Sequence, residues 1–205
     1  MKTRDGKLIC LAGASRSGKT AYAARLAKSA PVALAWDPES QWAALPGWTA
    51  ACTGMEFIHA AMAPGPRRVA FIPPAGTDAR QSFELFARAA FAVADRGDRP
   101  TVIGEELADV STPGKALTWW GTLLRRGLKR GATILAISQR WAEADKTALG
   151  NATAIVIFRQ SSADDVRYLT RKTRVPSELI DALKPLEYVY YDCAGQVWKA
   201  GKHEF

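Results

Sequence analysis

Eight residues near the N-terminus, Gly13-Ala14-Ser15-Arg16-Ser17-Gly18-Lys19-Thr20, separate an apolar run, KLICLA at 7–12, from a helix-like stretch at 19–29. Strand, glycine-bounded turn, helix: that order constrains the fold more than any other feature of the chain. Glycine at both ends lets the backbone wrap closely, so that successive N–H groups converge at a helix N-terminus, where an anion is favoured. The fixed positions match G-x-x-x-x-G-K-[ST], a phosphate-binding loop. In that motif the lysine supplies a point charge to the β- and γ-phosphates of ATP, and the hydroxyl of the last residue ligates Mg²⁺. All eight residues are therefore candidates for binding nucleotide, and Thr20 for binding the metal.

The rest of the sequence continues the alternation. Short β-branched runs at 32–36, 68–72, 101–104, 132–138 and 152–158 alternate with helix-like stretches at 55–62, 78–95, 115–126 and 162–171. A small strand fits 48–52, and segments 188–193 and 196–199 around Ala194-Gly195 read as a C-terminal β-hairpin. Asp78 stands where it can cap the second long helix, whose apolar positions Phe83, Phe86, Ala87, Ala90, Phe91 and Ala94 recur at helical spacing. The fold class expected is α/β, a mostly parallel central sheet flanked by helices. One domain accounts for 1–205, with 41–66 the least regular part.

Composition narrows the class further. With 48% hydrophobic and 23% charged residues, the chain can bury a core without metals or disulfides. Cys10, Cys52 and Cys193 are odd in number and widely spaced, and with only His59 and His203 beside them they suggest neither a disulfide framework nor a zinc site. No apolar stretch is long enough to span a membrane, and the polar segment 1–7 is unlike a secretory signal. A cytoplasmic, non-secreted protein is expected. The formal charge of +8 suits a polyanionic partner.

Hydrolysis of a bound triphosphate needs acids on the far side of the phosphate loop. Segment 101–106, TVIGEE, places Glu105 and Glu106 at the C-terminal end of a buried strand, the edge where α/β sheets bind ligands. Glu105 is assigned to the Mg²⁺ shell, through water, and Glu106 to the attacking water. The strand at 132–138 ends in Gln139-Arg140, which puts an amide between the two functional strands as a sensor of the γ-phosphate. Upstream, Arg125-Arg126-Gly127-Leu128-Lys129-Arg130 holds four cations in six residues. Cations suit a solvated helix end, but an arginine there can also reach the nucleotide of a neighbouring subunit. Such a finger contributes about 10³–10⁵-fold in rate in other phosphate-loop enzymes.

Together these motifs resemble the FtsK–HerA superfamily of DNA-pumping ATPases. Small size makes the chain similar to the genome-packaging ATPases of membrane-containing icosahedral double-stranded DNA viruses. The Asp37-Pro38 step after the second strand fits the same pattern. The resemblance implies a RecA/ASCE-like P-loop NTPase fold and an ATPase coupled to translocation of double-stranded DNA. It also implies a homo-oligomeric ring, pentamer or hexamer, with capsid or portal-vertex proteins as further partners. Two departures stand out. Family members carry Asp-Glu where this chain has Glu105-Glu106, and the usual finger position holds Leu128, which leaves Arg125, Arg126 and Arg130 as catalytic candidates. Two other readings are a small-molecule kinase, in which Gln139 has no obvious task, and a Zot-type phage assembly ATPase, a class that carries a membrane anchor.

Overall fold

A computed structural model describes residues 6–112, 114 and 116–203. Seven strands are mutually parallel: β1 (Lys7–Ala12), β2 (Val32–Trp36), β3 (Thr49–Ala51), β4 (Arg67–Phe71), β5 (Thr101–Gly104), β6 (Thr133–Ser138) and β7 (Ala154–Phe158). The antiparallel hairpin β8 (Glu187–Asp192) and β9 (Val197–Lys202) closes one edge, giving the order β3-β4-β2-β5-β6-β1-β7-β8-β9. The expected α/β sheet with a C-terminal hairpin is what the chain forms.

The central strands are apolar along most of their length because both faces of the sheet are covered. Along β1, Leu8, Cys10 and Ala12 join one core, while Ile9 and Leu11 join the other. On the second face Ala33, Ala35 and Ala70 leave room for α1 (Lys19–Lys28), which lays Ala23 and Ala27 against them. The first face is bulkier. There Trp36 packs edge-on or tilted against Phe71, Phe83 and Phe86, between the sheet and α2 (Gly54–Met62) and α3 (Ala79–Asp95).

Local chemistry fixes the helix ends. Thr53 and Glu56 form a reciprocal capping box on α2, and the Asp78 carboxylate accepts from the N–H groups of Arg80 and Gln81 at the start of α3, as its position predicts. Four short helices lie beyond: α4 (Leu107–Val110), α5 (Thr118–Thr122), α6 (Lys146–Gly150) and, after α7 (Ala163–Thr173), α8 (Ser177–Asp181). The helix expected over 115–126 is corrected on two counts. Among the described residues it begins at Thr118, with Lys115 outside them, and after Thr122 it widens into a π-helical turn, Leu123–Gly127. The last strand before α7 begins at Ala154 rather than at 152, because Thr153 turns its hydroxyl and N–H onto Leu8.

Parallel strands send their C-terminal ends to one edge of the sheet. Ala12 is level with Ser138, Gly104 with Ala136, and Trp36 with Gly104. The residues just past those strands must therefore meet.

Candidate nucleotide cleft

The cleft at that edge is lined by Ser15, Arg16, Lys19, Thr20, Glu105, Glu106 and Gln139, together with residues after β2. Sequence reasoning singled out each of those seven. Gly18 takes φ 114°, a left-handed conformation open to glycine, and turns the loop into α1. Gly13 is needed for space: a β-carbon there would stand 2.5 Å from Ser17 Oγ and 2.7 Å from Phe158 Cβ. From behind, the loop is braced by Arg159, whose carbonyl accepts from Ala14 N–H, and by Leu186, whose N–H donates to the Ser17 carbonyl. His203 N–H in turn donates to the Leu186 carbonyl, so the hairpin's far end takes part in the brace.

Lys19 is buried, and its ammonium donates to the carbonyls of Gly13 (2.8 Å) and Ala14 (2.9 Å). Burial lowers its pKa, against the opposing charges of Glu106 and Glu105. Ser17 Oγ is fully enclosed and, among the described residues, has no hydrogen-bond partner. The N–H groups of Ser15, Arg16 and Gly18 likewise carry no hydrogen bond there. An orphaned hydroxyl, three open amides and a buried ammonium around one turn are the donor set that phosphate oxygens fit.

The two acids occupy different environments. Glu105 is buried, and its Oε1 accepts from the Trp42 indole (Nε1, 3.0 Å) and faces Thr20 Oγ1 at 3.4 Å. Burial pushes its pKa up to about 7, offset in part by the indole hydrogen bond. Glu106 is half-buried, sits at φ 45°, ψ 53°, and accepts from Gln139 Nε2 at 2.6 Å. A non-glycine residue held in that left-handed region costs of order 1–3 kcal/mol and turns Glu106 across the strand ends toward Gln139. Gln139 thus stands between the phosphate loop and the acid strand, because β6 runs between β1 and β5. Its neighbour Arg140 pairs outside the cleft with Asp109 and Glu143.

For magnesium the fit is good. Thr20 Oγ1 and Glu105 Oε1 are hard oxygen donors 3.4 Å apart, and among the described residues no group of three His, Cys, Asp or Glu side chains could hold a metal instead. Mg²⁺ takes one or two protein oxygens and completes its shell from phosphates and water.

Trp42, which sequence reasoning did not single out, and Asp37, read there only as part of the Asp37-Pro38 step, also shape the cleft. Asp37, fully buried, accepts from the N–H groups of Gln41, Trp42 and Ala43, and so folds the segment after β2 back over the second face. Trp42, itself buried, is thereby aimed at Glu105. An Asp-Pro step after a strand signals such a turn. Nothing in the sequence pairs Trp42 with a residue 63 positions away. The contact also accounts for a glutamate at 105, since the longer side chain is met by the indole.

The arginine cluster stands apart. Arg125 and Arg126 are exposed on the π-helical turn; Arg126 and Arg130 lie 5.3 and 5.5 Å from the Phe91 ring, and Arg130 ion-pairs with Asp95. The segment leads into β6 at the sheet's N-terminal edge, where Gly6 N–H donates to the Leu128 carbonyl. About 20 Å of strand separates that edge from the cleft. None of the three lines the cleft of its own chain.

Because Glu105 is buried with a raised pKa, its ionisation opposes folding. Below the unfolded-state value near 4.5 it is neutral in both states; stability then falls as pH rises, and the full cost holds above about 7. Glu105→Gln keeps an oxygen for the indole, so it is expected to stabilise the nucleotide-free protein at pH 8 by roughly 3 kcal/mol. The gain should vanish near pH 4.5, and denaturant melts at the two pH values check it.

No protein-family model matches the chain. Protein P9 of Pseudoalteromonas phage PM2 is 43% identical over 67 residues, a stretch covering 33% of this chain and 31% of P9. The chain thus matches about a third of that relative's length. Among solved structures, the genome packaging NTPase B204 of Sulfolobus turreted icosahedral virus 2, in complex with AMPPCP, superposes with a TM-score of 0.77 over 100% of both chains at 16% identity. Its complex with ATP-gammaS gives the same score. The N-terminal domain of zonular occludens toxin from Neisseria meningitidis superposes at 0.51, 11% identical, over 98% of this chain and 95% of that one. The chain has the P-loop NTPase fold, and the expected resemblance to virus packaging ATPases is met at the level of fold.

Proposed function

We propose that this chain hydrolyses ATP to drive double-stranded DNA, packaging a viral genome into a preformed capsid. The observation that carries the reading is the meeting of Lys19 and Thr20 with Glu105, Glu106 and Gln139 in one cleft. The likeness to B204, a genome packaging NTPase seen with AMPPCP and ATP-gammaS, supports both the nucleotide and the task.

In this reading the loop amides and Ser17 Oγ hold the phosphates. Lys19 exchanges two carbonyl partners for phosphate oxygens, a strong exchange for an ammonium already out of water. Thr20 and, through water, Glu105 would hold a magnesium ion, which would neutralise charge on the phosphates. Glu106 orients and deprotonates the attacking water, and Gln139 fixes the Glu106 carboxylate through its amide. One arginine of the cluster, Arg125, Arg126 or Arg130, remote from its own cleft, serves the cleft of the next copy in a ring, which makes the site composite. No described helix is long and apolar enough to cross a membrane.

Steady-state ATP hydrolysis with and without linear duplex DNA tests the reading, run alongside particle mass with nucleotide bound. Several-fold stimulation by DNA and a ring-sized particle are expected. Phosphoryl transfer to a small acceptor, with no response to DNA, would replace the motor by a kinase.

A further inference from the structure

We infer that a basic groove beside α1, at the sheet edge opposite the cleft, seats the phosphate backbone of duplex DNA. The identity of the polyanion rests on the proposed function; the groove itself does not.

The groove encloses about 690 Å³ between the C-terminal half of α1 and the segment leading into β3. Its polar walls include Arg25, Lys28 and Arg68, and its apolar side is formed by Leu45 and Trp48. A second hollow continues it, sharing Lys28 and Arg68. No carboxylate lines either one. Among the described residues, none of these three cations is ion-paired, whereas Arg67, Arg96, Arg130, Arg140 and Arg167 all are. Arg68 Nη2 donates to the Lys28 carbonyl at 2.8 Å, which fixes the guanidinium without neutralising it.

The arrangement favours an extended polyanion over a small anion. The cations line an open groove that runs on into the second hollow, and contacts that track a phosphate backbone suit such a surface. Trp48, half-buried in the wall, presents an aromatic face beside them. That wall also leads to the chemistry. The Trp48 ring lies 5.1 Å from the Trp42 ring, and Trp42 holds Glu105. A strand lying on Trp48 is therefore two side chains from an acid of the cleft. A second basic hollow, formed by Lys146, Arg171 and Lys172 around Tyr168, has the same charge with no such connection.

The test is the affinity of the full chain for a labelled duplex, measured by fluorescence anisotropy over a salt series. The double variant Arg25→Glu/Lys28→Glu should bind more than tenfold more weakly at low salt. Its slope of log K against log salt should be shallower by about 1.8, since each lost phosphate contact removes about 0.9. DNA-free ATP hydrolysis should be unchanged, because neither residue lines the cleft. The milder pair Arg25→Gln/Lys28→Gln should move the same way if charge reversal unsettles the end of α1. Arg171→Glu/Lys172→Glu is the charge-matched control and should change little. Equal losses in both double variants, or wild-type affinity in the Arg25/Lys28 pairs, would overturn the groove. So would preference of the wild type for anionic lipid vesicles over DNA. A wild type that ignores duplex DNA altogether sinks the motor as well; one that binds it normally while the variants do too sinks only the groove.

Discussion

Glu106→Gln is expected to reduce ATP turnover about 10²–10⁴-fold, the range that a positioned general base contributes, while ATP still binds. The substitution is nearly isosteric and keeps an oxygen that can accept from Gln139, which reaches Glu106 at 2.6 Å. The loop that grips the phosphates is untouched, because Glu106 makes no hydrogen bond to it. What disappears is a group able to take the proton of water. Phosphate release in the steady state, paired with equilibrium binding of a fluorescent nucleotide, separates the two effects. Unchanged turnover would remove Glu106 from the chemistry and pass the role to Glu105.

The second large effect is steric. Gly13→Ala is expected to weaken nucleotide binding at least tenfold and to destabilise the fold by about 1–3 kcal/mol, the usual cost of overfilling a packed site. Its new methyl would meet Ser17 Oγ at 2.5 Å and Phe158 Cβ at 2.7 Å. The hydroxyl can rotate away, but a β-carbon on β7 cannot move without its strand. Gly13→Ala combined with Ser17→Gly should therefore recover only part of the loss. Nucleotide titrations and denaturant melts of the single and double variants measure it. Full recovery in the double variant would place the obstruction at Ser17 alone.

The parts of the cleft that were legible in the sequence are those carried by strand ends. Buried parallel strands have continuous apolar runs, so β1, β2, β5 and β6 announce themselves, and the residues just past each must reach the same edge. That is why Lys19, Glu105, Glu106 and Gln139 could be placed at one edge from the phosphate-loop motif and the strand ends that carry them. Residues 41–48 were opaque for the opposite reason. Their conformation depends on three N–H groups closing on Asp37, a tertiary decision that leaves no period in the sequence. The contact between Trp42 and Glu105 depends on that closure and was hidden with it. The stretch 115–126 misled differently: its composition suits a helix, yet among the described residues it begins at Thr118, where Glu84 of α3 accepts from the N–H groups of Trp119 and Trp120, and it widens at Leu123–Gly127. The arginines there were readable as a cluster, but their distance from the cleft depends on sheet topology rather than on local pattern.

The brace behind the phosphate loop has a consequence for how the protein comes to exist. Ser17 emerges from the ribosome well before Leu186, whose amide holds it, and His203, which holds Leu186. β1 likewise waits for β6 and β7 to flank it. A nascent chain therefore exposes its GASRSGKT segment well before the strands that flank β1 and the Leu186 amide that braces the loop are made.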